Sequence, residues 1–413
     1  MSSDGTDYLR GGPLRLTGRV QEAAWGKVGR ASRISPMVAG HADDARLAEF
    51  WIGGHPKAPA LLELPDGTTL ALDQALVRYT DALLGQRTID RFGSSLPFLL
   101  KILSVNREYG LSIQLHPTKA KANELHHKAP QHYPDANHKP EVGVALTPVS
   151  LLYGIKSREA LMSLVSALPE LKRFVGGGVI AGVSERDARL GAETSKALLA
   201  AIFALTESEV AQCTEYLAGA LPSVLQLKEE ATLFARLRER YGMKDHGLVA
   251  MLLMNVVHLA PGQAIFIAAN VPHAYLEGDL IECMACSDNV VRAGLTPKYK
   301  DVETLLEVVD CTWPLDGVRS FTSGENGFQV VVTPAEEFRL QVLPESSSRA
   351  RIAHSEGPGV VLCVGGGATI TSCVTGRCIE LGDGGAALLP PLTGDYEVTT
   401  SQAMLVYATP ALP

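Results

Sequence analysis

Polar side chains with metal-binding chemistry alternate with apolar ones in the segment Leu111–Pro117. Ser112, Gln114 and His116 share one side of this alternation, which is typical of a half-buried strand. Because residues two apart on a strand point to the same side, the Gln114 amide and the His116 imidazole can converge on one ion. The pattern alone is weak, since a single strand histidine is more often hydrogen-bonded or exposed.

A second group of candidate residues is the sequence His138-Lys139-Pro140-Glu141. Glu141 stands directly before the apolar run at 142–146, so it enters a strand as a carboxylate that needs a partner, and a cation is a candidate. The histidines upstream have irregular spacing and charged neighbours, and we interpret them as residues of a solvated loop: His126, His127 and His132. Glu141 is therefore the candidate ligand of this segment.

The third and fourth groups lie further along the chain. His273 follows the short strand expected at 264–268, in the sequence Asn270-Val271-Pro272-His273. The segment 278–298 then interleaves acidic residues and a single arginine with small apolar residues that look buried. Its charged members include Glu282, Asp288 and Arg292. Charges in such a setting are usually paired or functional.

Patterns along the chain predict the elements that position these groups. Short apolar runs broken by Gly and Pro indicate strands before residue 153 and again after residue 263. Between them, apolar residues recur at helical spacing, with a capping box at Thr206–Glu209 and a helix stop at Gly242. We expect the last of these helices to end at Pro261. Only the first dozen residues look disordered.

The predicted fold class is mainly β with an inserted α domain, in which jelly-roll β domains accompany one helical domain. We expect residues 13–153 and 261–329 to form one β domain that carries the candidate groups. Residues 154–260 are expected to form the inserted helical domain, and residues 330–413 a C-terminal β domain.

The composition excludes several classes of partner. The chain has 413 residues and a net charge of −8, which argues against nucleic acid or an anionic membrane but leaves room for a phosphorylated ligand in a basic pocket. Seven dispersed cysteines indicate free thiols in a reducing compartment. Because no signal-peptide segment and no run of about 18 apolar residues occurs, we expect a cytoplasmic protein.

At the four candidate segments the chain resembles the type I phosphomannose isomerases of the cupin superfamily. The matching stretches are Trp25–Lys27, Ala48–Pro56, Leu96–Leu103, Leu111–Pro117, His138–Glu141 and Pro261–Asp301. The block that ends Arg292-Ala293-Gly294-Leu295-Thr296-Pro297-Lys298 is the most specific of them. The resemblance implies that residues 13–153 and 261–329 form the catalytic, zinc-binding cupin domain and that the C-terminal β domain is cupin-like.

The resemblance also implies roles for individual residues. The family's single zinc ion is held by a glutamine, two histidines and a glutamate, which correspond to Gln114, His116, His273 and Glu141. The active-site arginine corresponds to Arg292, and further catalytic residues correspond to Glu282, Lys139 and Asp288. Ser112 and Lys101 correspond to residues that border the substrate.

The activity implied by the resemblance is the zinc-dependent interconversion of mannose 6-phosphate and fructose 6-phosphate by a monomer, feeding GDP-mannose synthesis and mannose catabolism. We expect proton transfer through an enediol, with Glu282 or Lys139 as the base, rather than a direct hydride shift. Two alternatives stay open. One is another cupin metalloenzyme, such as an Fe(II) oxygenase or a different sugar-phosphate isomerase; the other is a non-catalytic sugar-phosphate-binding cupin.

Overall fold

The computed structural model describes residues 3–179, 188–312, 317–319, 321–324, 326–391 and 394–412. The strands in these ranges form three sheets, of eleven, nine and four strands. A helical region lies between two paired strands of the largest sheet. This mainly β architecture with a helical insertion agrees with the predicted fold class.

The eleven-stranded sheet carries or borders every candidate site residue. Its strands are Arg19–Val28, Arg46–Gly53, Phe98–Val105, Ile113–Leu115, Glu141–Ala145, Val149–Ile155, Met254–Leu259, Ala264–Ile267, His273–Ala285, Val291–Gly294 and Val318–Arg319.

The 13-residue strand His273–Ala285 connects two layers of this sheet. Its first residue pairs with the short strand Ile113–Leu115, whereas its last eight residues pair with Phe98–Val105. A register shift between Tyr275 and Glu277 separates the two parts. Such an irregularity bends a strand, so one strand can present residues from both of its ends to a single cavity.

The nine-stranded sheet joins the two ends of the chain. Its strands are Leu14–Thr17, Leu61–Glu63, Thr69–Ala71, Thr322–Ser323, Gln329–Val331, Arg339–Leu343, Gly359–Val364, Ala386–Leu389 and Met404–Thr409. Leu14–Thr17 pairs with Ala386–Leu389, so strand pairing crosses between the segments predicted as catalytic and C-terminal domains. The division into three domains stays a prediction.

The four-stranded sheet covers one face of the C-terminal strands. Its strands are Arg349–Ile352, Gly367–Ser372, Cys378–Gly382 and Tyr396–Ser401. Val361 and Leu405 of the larger sheet share an apolar core with Ile370 of the smaller one. Their neighbours Leu362 and Val406 point the other way, into the core shared with the eleven-stranded sheet. Both faces of the strands Gly359–Val364 and Met404–Thr409 are therefore largely buried.

The helical region lies between the paired strands Val149–Ile155 and Met254–Leu259. Its helices include Arg158–Ala167, Lys172–Val175, Ala188–Phe203, Glu207–Ala220, Lys228–Tyr241 and Gly247–Ala250, with 3-10 turns at Pro169–Leu171, Leu221–Ser223, Leu225–Leu227 and Met251–Leu253. The predicted capping box at Thr206 and the helix stop at Gly242 are confirmed. The predicted helix up to Pro261 is wrong, because residues 254–259 pair as a strand.

No single helix among the described residues is long and apolar enough to span a membrane, although the bent pair Glu193–Phe203 and Glu207–Ser223 passes the test of length and composition.

The remaining helices lie outside the helical region. They are Ser3–Arg10, Leu72–Arg78, Thr80–Leu83, Gln86–Phe92, Lys119–Lys128 and Val302–Val308, with 3-10 turns at Gly29–Ala31 and Ser35–Met37. The expected disorder of the first dozen residues is wrong for the described part of that segment. Ser3–Arg10 is helical because Leu9 is fully buried in the core between the two largest sheets.

Candidate active site

Three side chains that could ligate a metal ion meet in the eleven-stranded sheet. His116 follows a short strand, and Glu141 and His273 each begin a strand. Nε2 of His116 lies 3.0 Å from Oε1 of Glu141, and Nε2 of His273 lies 3.7 Å from Oε2. One ligand atom from each residue lies within 4.8 Å of the others, and all three residues are buried. The fold thus brings together three residues predicted as ligands from distant segments.

Hydrogen bonds determine which ring nitrogen of each histidine faces the cluster. Nδ1 of His116 lies 2.8 Å from the backbone oxygen of Asn289, and Nδ1 of His273 lies 3.0 Å from that of Val271. A carbonyl oxygen only accepts, so each Nδ1 carries the proton and each Nε2 offers a lone pair. Both Nε2 atoms are buried and make no hydrogen bond to the described residues. Two such nitrogens beside one carboxylate fit a bound cation.

Burial and neighbouring charges set the protonation of these groups. Burial lowers the pKa of both histidines, to about 4 for His273, although Glu141 opposes the shift. Burial acts to raise the pKa of Glu141, but the charge of Lys139 holds it well below its ordinary value. Near neutral pH the cluster therefore offers two neutral imidazoles and a carboxylate. Such a donor set leaves a zinc ion its Lewis acidity.

Gln114 lies beside this cluster on the middle strand of three. It pairs in register with His273 on one side and with Arg292 on the other. Residues that pair across antiparallel strands point to the same face, so these three side chains share one face of the sheet. Oγ of Ser112 donates a hydrogen bond to Oε1 of Gln114 at 3.0 Å. Ser112 thereby orients the amide that the resemblance implies as the fourth ligand.

A row of paired residues crosses the sheet next to the cluster. Lys101 pairs in register with Glu282 on one neighbouring strand and with Trp51 on the other. Nζ of Lys101 lies 3.2 Å from Glu282 and 3.3 Å from Glu49. Burial alone would lower the pKa of Lys101, but the two carboxylates raise it above its ordinary value. Lys101 is therefore a fixed cation in the cavity wall.

Two further charged side chains, Lys139 and Glu282, act on Glu141. Nζ of Lys139 is 3.1 Å from Oε1 of Glu141. Burial and the charge of Glu141 raise the pKa of Glu282 to about 7, against the opposing effects of Lys101 and Lys139. A carboxyl group with a pKa near 7 can take up and release a proton at neutral pH.

These groups line one cavity of about 480 Å³. Its wall includes the predicted site residues Lys101, Ser112, Gln114, Lys139, Glu141, Glu282, Asp288 and Arg292. His116 and His273 are fully buried and contact Glu141, which is part of this wall. Oδ2 of Asp288 is 3.7 Å from Nε2 of His55. The side chain of Arg292 makes no hydrogen bond or ion pair with the described residues, so its charge is free for a ligand, and burial lowers its pKa.

Glu49 and Trp51 belong to the wall, although no role was predicted for either. Nε1 of Trp51 donates a hydrogen bond to Oε2 of Glu49 at 2.5 Å, and Nζ of Lys101 lies 5.0 Å from the Trp51 ring centroid. Both residues lie in the matched stretch Ala48–Pro56, at positions two apart on a strand. That spacing is the signal that could have assigned them to one face.

The helical region supplies part of the wall through Arg240 and Tyr241. The Arg240 guanidinium lies 4.0 Å from the centre of the Tyr109 ring, and Tyr241 donates a hydrogen bond to the Tyr109 carbonyl at 2.8 Å. No sequence pattern marks these residues, since both end an ordinary amphipathic helix. His132, interpreted above as a loop residue, also lines the cavity and stacks on Tyr299 with ring centres 3.7 Å apart.

Known proteins resemble this chain over most of its length. The protein named mannose-6-phosphate isomerase from Bos taurus is 35% identical over 390 residues, which cover 90% of this chain and 91% of the relative. Mannose-6-phosphate isomerase 1 from Arabidopsis thaliana is 32% identical, covering 95% of this chain and 92% of the relative.

Solved structures agree in fold. A mannose 6-phosphate isomerase from Salmonella typhimurium, described as bound to its substrate, fructose 6-phosphate, and to zinc, matches with a TM-score of 0.82 at 29% identity. The match covers 97% of this chain and 100% of that one. Residues 14–158 also match the family described as phosphomannose isomerase type I, catalytic domain. The chain therefore belongs to the type I phosphomannose isomerase family.

Proposed function

We propose that this chain is a zinc-dependent isomerase that interconverts mannose 6-phosphate and fructose 6-phosphate. One observation carries the proposal: two buried, unpaired histidine nitrogens converge on Glu141 at the wall of a cavity that also holds Glu282 and Arg292. Metal ligands, a proton-exchanging carboxyl group and a free cation are the parts that aldose–ketose isomerisation needs.

We propose that Gln114, His116, Glu141 and His273 hold the zinc ion. The donor set fits, because both Nε2 atoms are proton-free and the carboxylate is ionised. When bound, zinc supplies Lewis acidity toward oxygen atoms of the substrate.

The chain's own residues supply the proton transfer in this proposal. Glu282 takes the proton from the carbon next to the carbonyl group, which leaves an enediolate with its negative charge on the carbonyl oxygen. The proton of the neighbouring hydroxyl group moves to that oxygen, and Glu282 returns its own proton to the former carbonyl carbon, so the carbonyl group has changed places. The raised pKa of Glu282 supports both halves of this cycle. Lys139 is the second candidate for the base, since its Nζ lies 3.1 Å from Glu141 at the same wall. Arg292 offers an unpaired positive charge to the oxygen that becomes negative.

Asp288 is proposed to help orient the substrate, and Ser112 and Lys101 to border it. The contact of Ser112 with Gln114 and the fixed charge of Lys101 support these positions. The finer expectations stay proposals too: a cytoplasmic monomer whose product feeds GDP-mannose synthesis. Its seven free cysteines are consistent with a reducing compartment.

An isomerase assay tests the function directly. The purified chain is stripped of metal with a chelator, loaded with zinc, manganese or iron(II), and given mannose 6-phosphate while fructose 6-phosphate is measured. We expect no turnover after chelation and recovery with zinc. Oxygen consumption with no ketose would identify a cupin oxygenase instead. Binding of the sugar phosphate without turnover under any metal would identify a binding module.

A further inference from the structure

A second cavity lies in the C-terminal sandwich, apart from the catalytic one. It has a volume of about 170 Å³ and opens between the strand pair Arg339–Leu343 and Met404–Thr409 and the loop that follows Ile352. None of its lining residues also lines the catalytic cavity. Nothing in the proposed isomerase reaction uses it.

The inner face of the sandwich changes from apolar to polar at this cavity. Along the two paired strands, the inner-face pairs run from Leu343 and Leu405, through Gln341 and Tyr407, to Arg339 and Thr409. The residues between these pairs point to the opposite face, into the core shared with the eleven-stranded sheet. Leu340 and Ala408 are examples, and both are apolar and buried. Tyr407 and Thr409 are buried, Gln341 is half-buried and Arg339 is exposed, so polar groups line this open end of the sandwich where the apolar core stops.

Tyr407 has a hydroxyl group without a protein partner. Its side chain is packed against Phe328, with ring centres 6.1 Å apart, and against Gly359, where any Cβ would come within 2.4 Å of Cε2. Tyr407 is 6% exposed and lines the cavity, and no hydrogen bond joins its hydroxyl to the described residues. Burial raises the pKa of Tyr407, and nearby Arg339 opposes the rise, so the hydroxyl stays a donor at neutral pH.

Arg339 brings an uncompensated positive charge to the same face. Its guanidinium makes no ion pair or hydrogen bond within the ranges that the structure describes. The neighbouring Arg351 is already paired, since its guanidinium lies 2.7 Å from Asp395. Asp395 also accepts the backbone N–H of His354, which holds the loop at the cavity edge. The acid next in the loop, Glu356, pairs with Arg87.

We propose that this cavity is a binding site for a small oxyanion, the phosphate or carboxylate group of a metabolite. Arg339 supplies the charge, and Tyr407, Thr409 and Gln341 supply hydrogen-bond donors on the same face. A guanidinium beside hydroxyl and amide donors matches the acceptor-rich oxygens of both groups. The site is independent of the isomerase reaction, so either proposal can fail without the other.

Melting temperatures of the zinc-loaded full chain test the site. They are measured in inorganic phosphate, in succinate and in sodium chloride at equal ionic strength. The variants are Arg339→Ala, which loses the charge, and Tyr407→Phe, which loses only the hydroxyl. Arg349→Ala is the matched control, because Arg349 is an exposed arginine on the adjacent sheet that does not line the cavity.

For wild type and Arg349→Ala we expect a rise of roughly 2–5 °C over chloride at saturating anion. Arg339→Ala and Tyr407→Phe should lose most of that rise, while inhibition of the isomerase assay by phosphate stays unchanged. A larger Arg339-dependent rise in phosphate identifies a phosphate ligand, and a larger one in succinate a carboxylate. Equal rises in all four proteins, or none beyond chloride, would overturn the proposal.

Discussion

Oδ1 of Asp245, in the helical region, accepts a hydrogen bond from the backbone N–H of Leu295 at 2.9 Å. Leu295 has a left-handed φ of +54°. This backbone conformation is unfavourable for a leucine, so contacts with the surrounding residues must stabilise it. Close packing supports the same point, because a Cβ on Gly294 would lie 2.5 Å from Cα of Gly247. The helical region therefore holds the backbone that follows Arg292.

Removal of this acceptor should disturb the active site without removing metal. We expect Asp245→Ala to lower the free energy of unfolding by about 1–2 kcal/mol, because the backbone N–H groups of Leu295 and Gly247 both lose their acceptor. Turnover should fall several-fold as the strand carrying Arg292 loosens. Chemical denaturation, kcat and zinc content measure the three effects, with zinc content unchanged.

The conservative variant separates geometry from charge. Asp245→Asn keeps an oxygen acceptor at the same position, so it should retain near wild-type stability and turnover. Equal losses in Asp245→Asn and Asp245→Ala would show that the negative charge, and not the hydrogen bond to Leu295, is what matters.

Loss of either histidine ligand should reduce metal content. His116→Ala and His273→Ala each remove one of the converging Nε2 atoms, so zinc per chain should fall well below one by elemental analysis, with activity lost in parallel. His127→Ala is the matched control, because this histidine is exposed and, among the described residues, its only hydrogen bond joins Nδ1 to the Asn123 carbonyl. Full zinc content in either His116→Ala or His273→Ala would contradict the ligand assignment.

Arg292→Ala should lower kcat about 100-fold or more with a modest change in KM, because its unpaired charge is proposed to act on the developing oxyanion. Arg240→Ala removes a different arginine from the same wall and should affect kcat much less. If Arg292→Ala instead raised KM and kept kcat, the arginine would be a substrate-binding residue, such as a phosphate ligand.

Solvent deuterium labelling and active-site variants together test which residue is the base in the isomerisation. In deuterated water the enediol route should place deuterium on C1 of the ketose or C2 of the aldose. Glu282→Gln should nearly abolish turnover, whereas Glu49→Gln, which removes the other carboxylate next to Lys101, should reduce it less. An active Glu282→Gln with an inactive Lys139→Met would assign the base to the lysine.

A partly buried pair, His138 and Glu337, should make stability sensitive to acid. Nε2 of His138 lies 2.6 Å from Oε1 of Glu337. Burial acts to raise the pKa of Glu337, but the hydrogen bond and charge of His138 lower it below its ordinary 4.5. The unfolded chain then binds the proton more readily, so this stabilisation is complete above pH 4.5 and is lost as pH falls through the folded pKa.

Denaturation of wild type and Glu337→Gln between about pH 7 and pH 3 tests this dependence. The variant should be less stable at neutral pH, and the difference should shrink as the pH falls below 4.5. A difference that stays constant over this range would show that the Glu337 carboxylate does not carry the effect.

The sequence by itself determined the features that depend on local spacing. The period of a strand places Gln114 and His116 on one side, and the spacing of Thr206 and Glu209 forms the capping box that the helix shows. The matched motifs identified the family, and with it a set of site residues that the fold gathers around one cavity.

Only the tertiary structure decided which distant residues meet. The pairing of Gln114 with His273, and of Lys101 with Glu282, depends on the register between strands far apart in sequence, which no local pattern specifies. Arg240 reaches the cavity because the helical region packs beside it. The pKa of Glu282 depends on burial and on Glu141, which are properties of the folded chain alone.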